Sequence, residues 1–391
     1  MTFKKLAEYF SKLEDTSSRL MMTEILSQLF KESGDDEIGQ ICFLLQGRIA
    51  PQFVPLEFGM ADKMMIRAVE KGLGIPAELV IREFKKTGDL GIVISNLKAS
   101  TASNQERGDL EIAKVYEVFF NTAAASGEGS QEEKINLLGN LIKEIDVDSA
   151  RFIVRIPLGK LRLGFSDMTI LDSLSWMIDG NKTYRAEIER AYNVRPDLSF
   201  ISTTLKKKGI AGLKSTQPTV GTPILMARAE RMSMGAEIIE KIGRCAVEPK
   251  YDGFRLQVHY NSHGIETGYR KKESRFLKLL AEKETNEKVR LYSRNLEDAT
   301  AMYPDVVSGI EKQIKAESVI FEGEAIAFNP TTGEYLPFQE TVQRKRKYDI
   351  EAMTRKVPLK LIAFDLLYLD GENLIGKPYS ERREKLKKIF N

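Results

Sequence analysis

Cysteine, histidine and tryptophan are nearly missing from this chain of 391 residues, which has two, two and one of them. Cys42 and Cys245 stand far apart, which excludes a disulfide framework and a cysteine-based zinc site and fits a reducing compartment. His259 and His263 lie in or beside an expected strand and turn with no metal-ligand company, so both read as surface polar residues. So few histidines also leave little room for a Ser-His-Asp hydrolase. No apolar run reaches the length of a membrane span, and Leu361 to Leu369 is broken by Asp365. The amino end, Met1-Thr2-Phe3-Lys4-Lys5, leads into a polar amphipathic pattern instead of a signal-peptide block. Neither sign of charge dominates: 59 Lys and Arg face 56 Asp and Glu, a net +3. That excess neither demands nor excludes nucleic acid, and clustering decides. With 42% hydrophobic and 29% charged residues, the composition is that of a globular chain of two or three domains. The expectation is a soluble intracellular protein with no membrane partner, cytoplasmic or, in a eukaryote, nuclear.

The two halves differ in pattern. Phe3, Leu6, Ala7, Phe10 and Leu13 recur at helical spacing, as do Met22, Ile25, Leu26, Leu29 and Phe30. Thr16-Ser17-Ser18 can cap the second run and Gly34 close it. Ile112, Val115, Tyr116 and Phe119 form another run, followed by Ile135, Leu138, Leu141, Ile142 and Ile145. Ser130 with Glu133 has the spacing of a capping box. A helical array is the economical fold for this half. The pattern changes between Lys214 and Pro223, where two prolines, a glycine and several Ser and Thr read as a linker. Beyond it, Phe254 to Tyr260, Val289 to Ser293, Val319 to Phe328 and Leu359 to Leu369 are expected strands. Ser274 to Glu282, Pro304 to Ala316 and Ser380 to Phe390 are expected helices, making this half α+β with an antiparallel or mixed sheet.

The chemistry concentrates after the linker. Gly209 to Ser215 echoes a phosphate loop without satisfying its spacing, and reads as a turn. In Glu248-Pro249-Lys250-Tyr251-Asp252-Gly253-Phe254-Arg255, Pro249 and the Asp252-Gly253 pair bracket one lysine with tight-turn chemistry ahead of a strand. A nucleophilic lysine must be neutral, whereas a free one titrates near ~10.4. Burial and a neighbouring cation such as Arg255 would both lower it. A charged hairpin is the plain alternative. Four further elements follow: Ser293-Arg294-Asn295, Glu322-Gly323-Glu324, Pro337-Phe338-Gln339 running on to Arg344-Lys345-Arg346-Lys347, and Phe364-Asp365-Leu366-Leu367-Tyr368-Leu369-Asp370-Gly371. Singly each has an ordinary structural explanation.

In this order they resemble the nucleotidyltransferase domain of ATP-dependent DNA ligases of the archaeal and eukaryotic replicative type, from about Pro223 to Asn391. Gly159-Lys160-Leu161-Arg162-Leu163-Gly164 and Arg195-Pro196-Asp197 extend the likeness to that family's helical DNA-binding domain. The resemblance implies a helical DNA-binding domain over 1–215 and an ATP-grasp-like adenylation domain over 216–391, incomplete at its carboxyl end. It implies that Lys250 attacks the α-phosphorus of ATP and that Glu248 accepts from the adenine amine. Phe364 would stack on the base, Arg255 and Arg294 hold phosphate and ribose, and Glu324 contact the ribose or Mg2+. Counting from the lysine would instead choose Arg270 for the sugar, because an apparent insertion spans Arg270 to Lys288; the Ser-Arg-Asn context favours Arg294. Lys160, Arg162, Lys206, Lys207, Lys208, Arg344, Lys345, Arg346 and Lys347 would contact DNA phosphates. The implied partner is nicked duplex DNA, sealed in replication, repair and recombination, with a sliding clamp as a further partner and a monomer as the working form. The family's later lysine motifs and OB domain are not found before Asn391, so a truncated enzyme with impaired sealing is expected. The rivals are an RNA ligase or capping enzyme, which share lysyl-nucleotidyl chemistry, and a non-catalytic remnant that clamps nicked DNA.

Overall fold

The computed structural model describes residues 1–101, 110–266, 287–346 and 348–390. The expected helix Ser274 to Glu282, Arg270 and Lys347 lie outside them. The chain divides into two compact units, Met1–Tyr192 with Pro196–Thr216, and Asn193–Arg195 with Gln217–Asn391.

The first unit is helical. It comprises α1 (Phe3–Glu14), α2 (Arg19–Glu32), α3 (Glu37–Leu45), α4 (Asp62–Leu73), α5 (Ala77–Thr87) and α6 (Leu90–Thr101). The rest are α7 (Ile112–Ala124), α8 (Ser130–Glu144), α9 (Val147–Arg155), α10 (Asp167–Asp179), α11 (Arg185–Val194) and α12 (Leu198–Lys214). The apolar stripes read from the sequence become its core: Leu6, Phe10, Leu26, Phe30, Phe119 and Leu138 are all fully buried, and Phe152 of α9 joins them. Ser18 caps α2 by accepting from the Met21 amide at 3.4 Å. The capping box expected at Ser130 does not form. Gly129, at φ 79°, takes the cap position and Ser130 becomes the first helical residue.

The second unit is built on one sheet. In chain order it has α13 (Gly235–Ile242), β1 (Phe254–Asn261), β2 (Val289–Ser293), α14 (Pro304–Gln313) and β3 (Ser318–Ala327). Then follow α15 (Phe338–Val342), α16 (Ile350–Lys356), β4 (Leu359–Leu369), β5 (Glu372–Asn373) and α17 (Tyr379–Lys388). Sheet order is β2-β1-β3-β4-β5, and every pairing is antiparallel. The two-residue alternation of a strand sorts the side chains. Leu256, Val258 and Tyr260 of β1 join Val319, Phe321, Ala325 and Ala327 of β3 in a core covered by Val306 and Ile310 of α14. Arg255, Gln257 and His259 face the other way, opposite Glu324, Glu322 and Ile320 in the register.

Strand β4 breaks that alternation twice. Its pairing with β3 slips between Glu322 and Gly323 and again between Ile320 and Phe321. At the first slip both Phe364 and Asp365 oppose Glu322, a β-bulge that brings the phenylalanine to the polar face.

The linker expected between Lys214 and Pro223 is pinned to this sheet from Gly221 onward. The Gly221 amide donates to His259 Nδ1 at 3.0 Å, and its carbonyl accepts from the Tyr292 hydroxyl at 2.7 Å. Ile224 exchanges two hydrogen bonds with the Gln257 side-chain amide, at 2.7 and 3.0 Å. His259 is therefore fully buried, not the surface residue its polarity implied, because its ring satisfies backbone that would otherwise be unpaired.

Candidate active site

Five of the six residues assigned to the nucleotide converge on the polar face of this sheet or its approach. Lys250 and Glu248 lie on an exposed stretch leading into β1. Three residues after the lysine, Gly253 donates its amide to Glu324 Oε1 at 3.1 Å. Glycine is required there: a Cβ would come within 2.3 Å of the Ala325 carbonyl oxygen. Gly323 meets a similar limit, since a Cβ would lie 2.9 Å from the Ile362 carbonyl. The two glycines let β1, β3 and β4 approach closely enough to bring Glu324 beside the lysine turn.

Arg255 sits opposite Glu324 in the register and pairs with the buried Glu322 carboxylate. Its guanidinium carbon lies 5.1 Å from the centroid of the Phe364 ring, a cation–π contact made available by the bulge. The Arg255 Nε is buried without a hydrogen-bond partner, a donor left for something else. Behind this pair runs a buried polar chain: Glu322 accepts from Gln257 at 3.2 Å, and Gln257 accepts from the His259 Nε2–H at 3.0 Å. His259 must carry its hydrogen on Nε2, because Nδ1 accepts from Gly221. Burial, reinforced by Arg290, pushes its pKa down to about 3, so the ring is neutral. Glu324 moves the other way. Burial raises its pKa above the ordinary glutamate value, against the opposing pull of the Gly253 amide, Arg255 and Lys250.

Glu248, Arg255, Glu324 and Phe364 thus share one neighbourhood through β1, β3, β4 and α17. Arg294 follows β2 in a tight turn in which Leu296 takes φ 66° and its amide donates to the Ser293 carbonyl at 2.8 Å. It is exposed, and among the described residues no contact ties it to the others. Three contributors have no role assigned from the sequence. Gln257 and Glu322 sit two residues from Arg255 and Glu324, and the period of a strand alone would have placed them on the same face. Tyr379, whose hydroxyl donates to Glu248 Oε1, had no sequence signal, because the pair is 131 residues apart.

The basic residues assigned to DNA separate into distinct kinds. Lys206 donates to the Phe30, Lys31 and Ser33 carbonyls at the carboxyl end of α2. Lys207 pairs with Asp36, and Lys160 pairs with Asp62 at 2.6 Å. Arg162 and Lys208 are exposed. Arg344 is buried: it bonds Asp305 at 2.6 Å and the Val357 carbonyl at 3.2 Å, which ties α14 to the end of α16 and removes it from the surface. Lys345 and Arg346 beside it are exposed. No helix among the described residues is long and apolar enough to cross a membrane.

Two family descriptions match the chain. One, "DNA ligase N terminus", covers residues 2–175, and the other, "ATP dependent DNA ligase domain", covers residues 280–391. A "Probable DNA ligase" of Dictyoglomus thermophilum is 44% identical over 390 residues, covering all of this chain and 62% of the relative. The "DNA ligase 2" of Thermofilum pendens is 40% identical over 398 residues, again covering all of this chain and 62% of the relative. The "DNA ligase" of Staphylothermus marinus is 39% identical over 404 residues, with 64% of its length covered. The chain therefore spans under two thirds of the length of these relatives.

Proposed function

The chain belongs to the ATP-dependent DNA ligase family, and on that premise we propose that Lys250 takes AMP from ATP and that the helical unit engages the nicked duplex to be sealed. The observation that carries the reading is the Gly253–Glu324 bond, which ties the lysine turn to the strand presenting Glu324 beside Arg255 and Phe364. One stretch of backbone then orients a nucleophile against an aromatic face, a free donor and a carboxylate. That is the donor set a purine nucleotide requires.

In this reading the neutral Lys250 amine attacks the α-phosphorus of ATP. A nitrogen–phosphorus bond forms, the bond to the bridging oxygen breaks, pyrophosphate leaves and the amine proton passes to solvent. Arg255, through its unpaired Nε, and Arg294 hold phosphate and ribose oxygens, which suit guanidinium forks. Phe364 stacks on the base, and Glu248 accepts from its exocyclic amine. The adenylyl group then passes to a 5′-phosphate at the nick, and a 3′-hydroxyl displaces AMP to close the strand. Among the described residues no three His, Cys, Asp or Glu side chains converge as a metal cage. Glu324 is the carboxylate that would hold Mg2+, an ion usually bound by one or two carboxylates together with substrate phosphates and water. When bound, the ion supplies charge neutralisation for the departing pyrophosphate.

The test is incubation with α-labelled ATP and magnesium, followed by denaturing electrophoresis. Label is expected on the wild-type chain and absent from Lys250→Ala. A wild type that binds nicked duplex yet takes no label would instead be a non-catalytic clamp.

A further inference from the structure

Glu248 is an exposed carboxylate on an extended approach to β1, and such a side chain by itself samples several rotamers. Selecting a base with it demands a fixed acceptor. Among the described residues its single side-chain partner is the Tyr379 hydroxyl, at the first position of α17. That hydroxyl also lies 3.3 Å from the Phe364 carbonyl. A phenol has one hydrogen, and the charged oxygen is the better acceptor, so the carboxylate takes it.

The same helix grips the bulge on both sides of Phe364. Arg382 holds both oxygens of Asp365, at 2.8 and 3.1 Å, and its guanidinium lies 5.6 Å from the Tyr379 ring centroid. Arg383 donates to the Ala363 carbonyl at 2.9 Å. Three side chains of α17 therefore engage the ring-bearing bulge and the carboxylate together.

We propose that Tyr379 is a positioning residue for base selection, holding the Glu248 carboxylate as a fixed acceptor alongside Phe364. The proposal rests on the reading of Glu248 and Phe364 as purine contacts given above. With Oε1 occupied by the tyrosine, Oε2 remains to accept from an exocyclic amine. A base with a carbonyl at that position meets a carboxylate oxygen that cannot turn away. Burial, with Glu248 as the next cause, pushes the Tyr379 pKa up to about 12, so the hydroxyl stays a donor through the working pH range.

The experiment follows self-labelling of the full chain by α-labelled ATP and α-labelled GTP in wild type, Tyr379→Phe, Glu248→Ala and the double variant. For Tyr379→Phe the KM for ATP should rise about tenfold, as expected for losing a hydrogen bond to a charged group, and the preference for ATP over GTP should fall with it. The labelling rate at saturating ATP should stay within about twofold, a split that separates positioning from chemistry. In the Glu248→Ala background the tyrosine change should add nothing. Unchanged KM and base preference in Tyr379→Phe would overturn the inference alone. An equal loss with and without Glu248 would do the same, by making the residue a fold element only. A wild type that takes no label from either nucleotide would overturn the reading of the site and this inference with it.

Discussion

The amide of Gly253 donates to Glu324 Oε1 across 3.1 Å, and the lysine turn owes its position on the sheet to that one bond and to the absence of a side chain at residue 253. Gly253→Ala would drive a methyl to within 2.3 Å of the Ala325 carbonyl, which belongs to the sheet ladder and has no freedom to move aside. The turn must move instead. Overpacking of this kind typically costs about 1–3 kcal/mol. The reactive amine shifts with the turn, and misplacement by about 1 Å can lower a rate about a hundredfold. Thermal melting and single-turnover labelling should therefore separate, with a modest loss in the first and a large loss in the second. Equal labelling by this variant would show that Lys250 is not the group positioned by the turn.

Glu324→Gln keeps an oxygen able to accept from Gly253 while removing the charge. The native carboxyl titrates above its ordinary value near 4.5, so between those two points the folded state binds more protons than the unfolded one. Its contribution is fully present below the ordinary value and is lost as pH rises through the native value. The amide variant lacks that loss. Melting curves across pH 4–8 (about the range any glutamate titration covers) should show the variant gaining on wild type as pH rises. Magnesium-dependent labelling should meanwhile fall by about tenfold or more. Parallel melting curves would mean that burial does not raise this carboxyl.

His259 has the opposite sign. Its native pKa near 3 lies below the ordinary histidine value of 6.5, so the unfolded chain binds the extra proton. The stability it contributes is present above 6.5 and is lost as pH falls towards the native value, with a slope approaching about 1.4 kcal/mol per pH unit. His259→Gln should be less stable than wild type at neutral pH, because the bonds to Gly221 and Gln257 are not both kept. Its curve should also be flatter, so the two proteins converge in acid. Denaturant unfolding at a series of pH values reads both features.

Part of this arrangement is legible in the amino-acid sequence. Strands β1 and β2 and helix α14 follow the alternation, the turn residues and the proline start in the sequence, with Arg255 on β1, Glu248 and Lys250 just before it and Arg294 just after β2. The features that are not legible there have specific physical causes. Strand β4 is apolar on both faces, so neither slip in its register leaves a mark, and the arrival of Phe364 beside Arg255 depends on one of them. His259 reads as solvent-facing because polar residues usually are, and Gln257 carries no signal of its own. They are buried because Gly221 and Ile224 supply backbone partners that only the folded chain brings near. The block Arg344 to Arg346 looks uniform in composition, yet Asp305 draws the first of its residues inward and leaves the next two outside.

The lysine run before Gly209 poses the same problem and allows a sharp test. Lys206 donates to three carbonyls at the end of α2, where a helix leaves acceptors unpaired, and burial lowers its pKa. Lys208 is exposed, and Gly209 after it takes φ 61° and ψ −167°, a kink inside α12. Lys206→Ala should then cost about 1–2 kcal/mol of stability, the value of hydrogen bonds made by a charged donor, and leave the salt dependence of duplex binding unchanged. Lys208→Ala should leave stability unchanged, weaken binding alike for all sequences and reduce the slope of log affinity against log salt by about 1. Titrations at several salt concentrations, paired with melting curves, distinguish the two. A Lys206→Ala protein of normal stability with a reduced slope would return that lysine to the DNA-contacting set, because a side chain holding a helix end cannot also neutralise a phosphate.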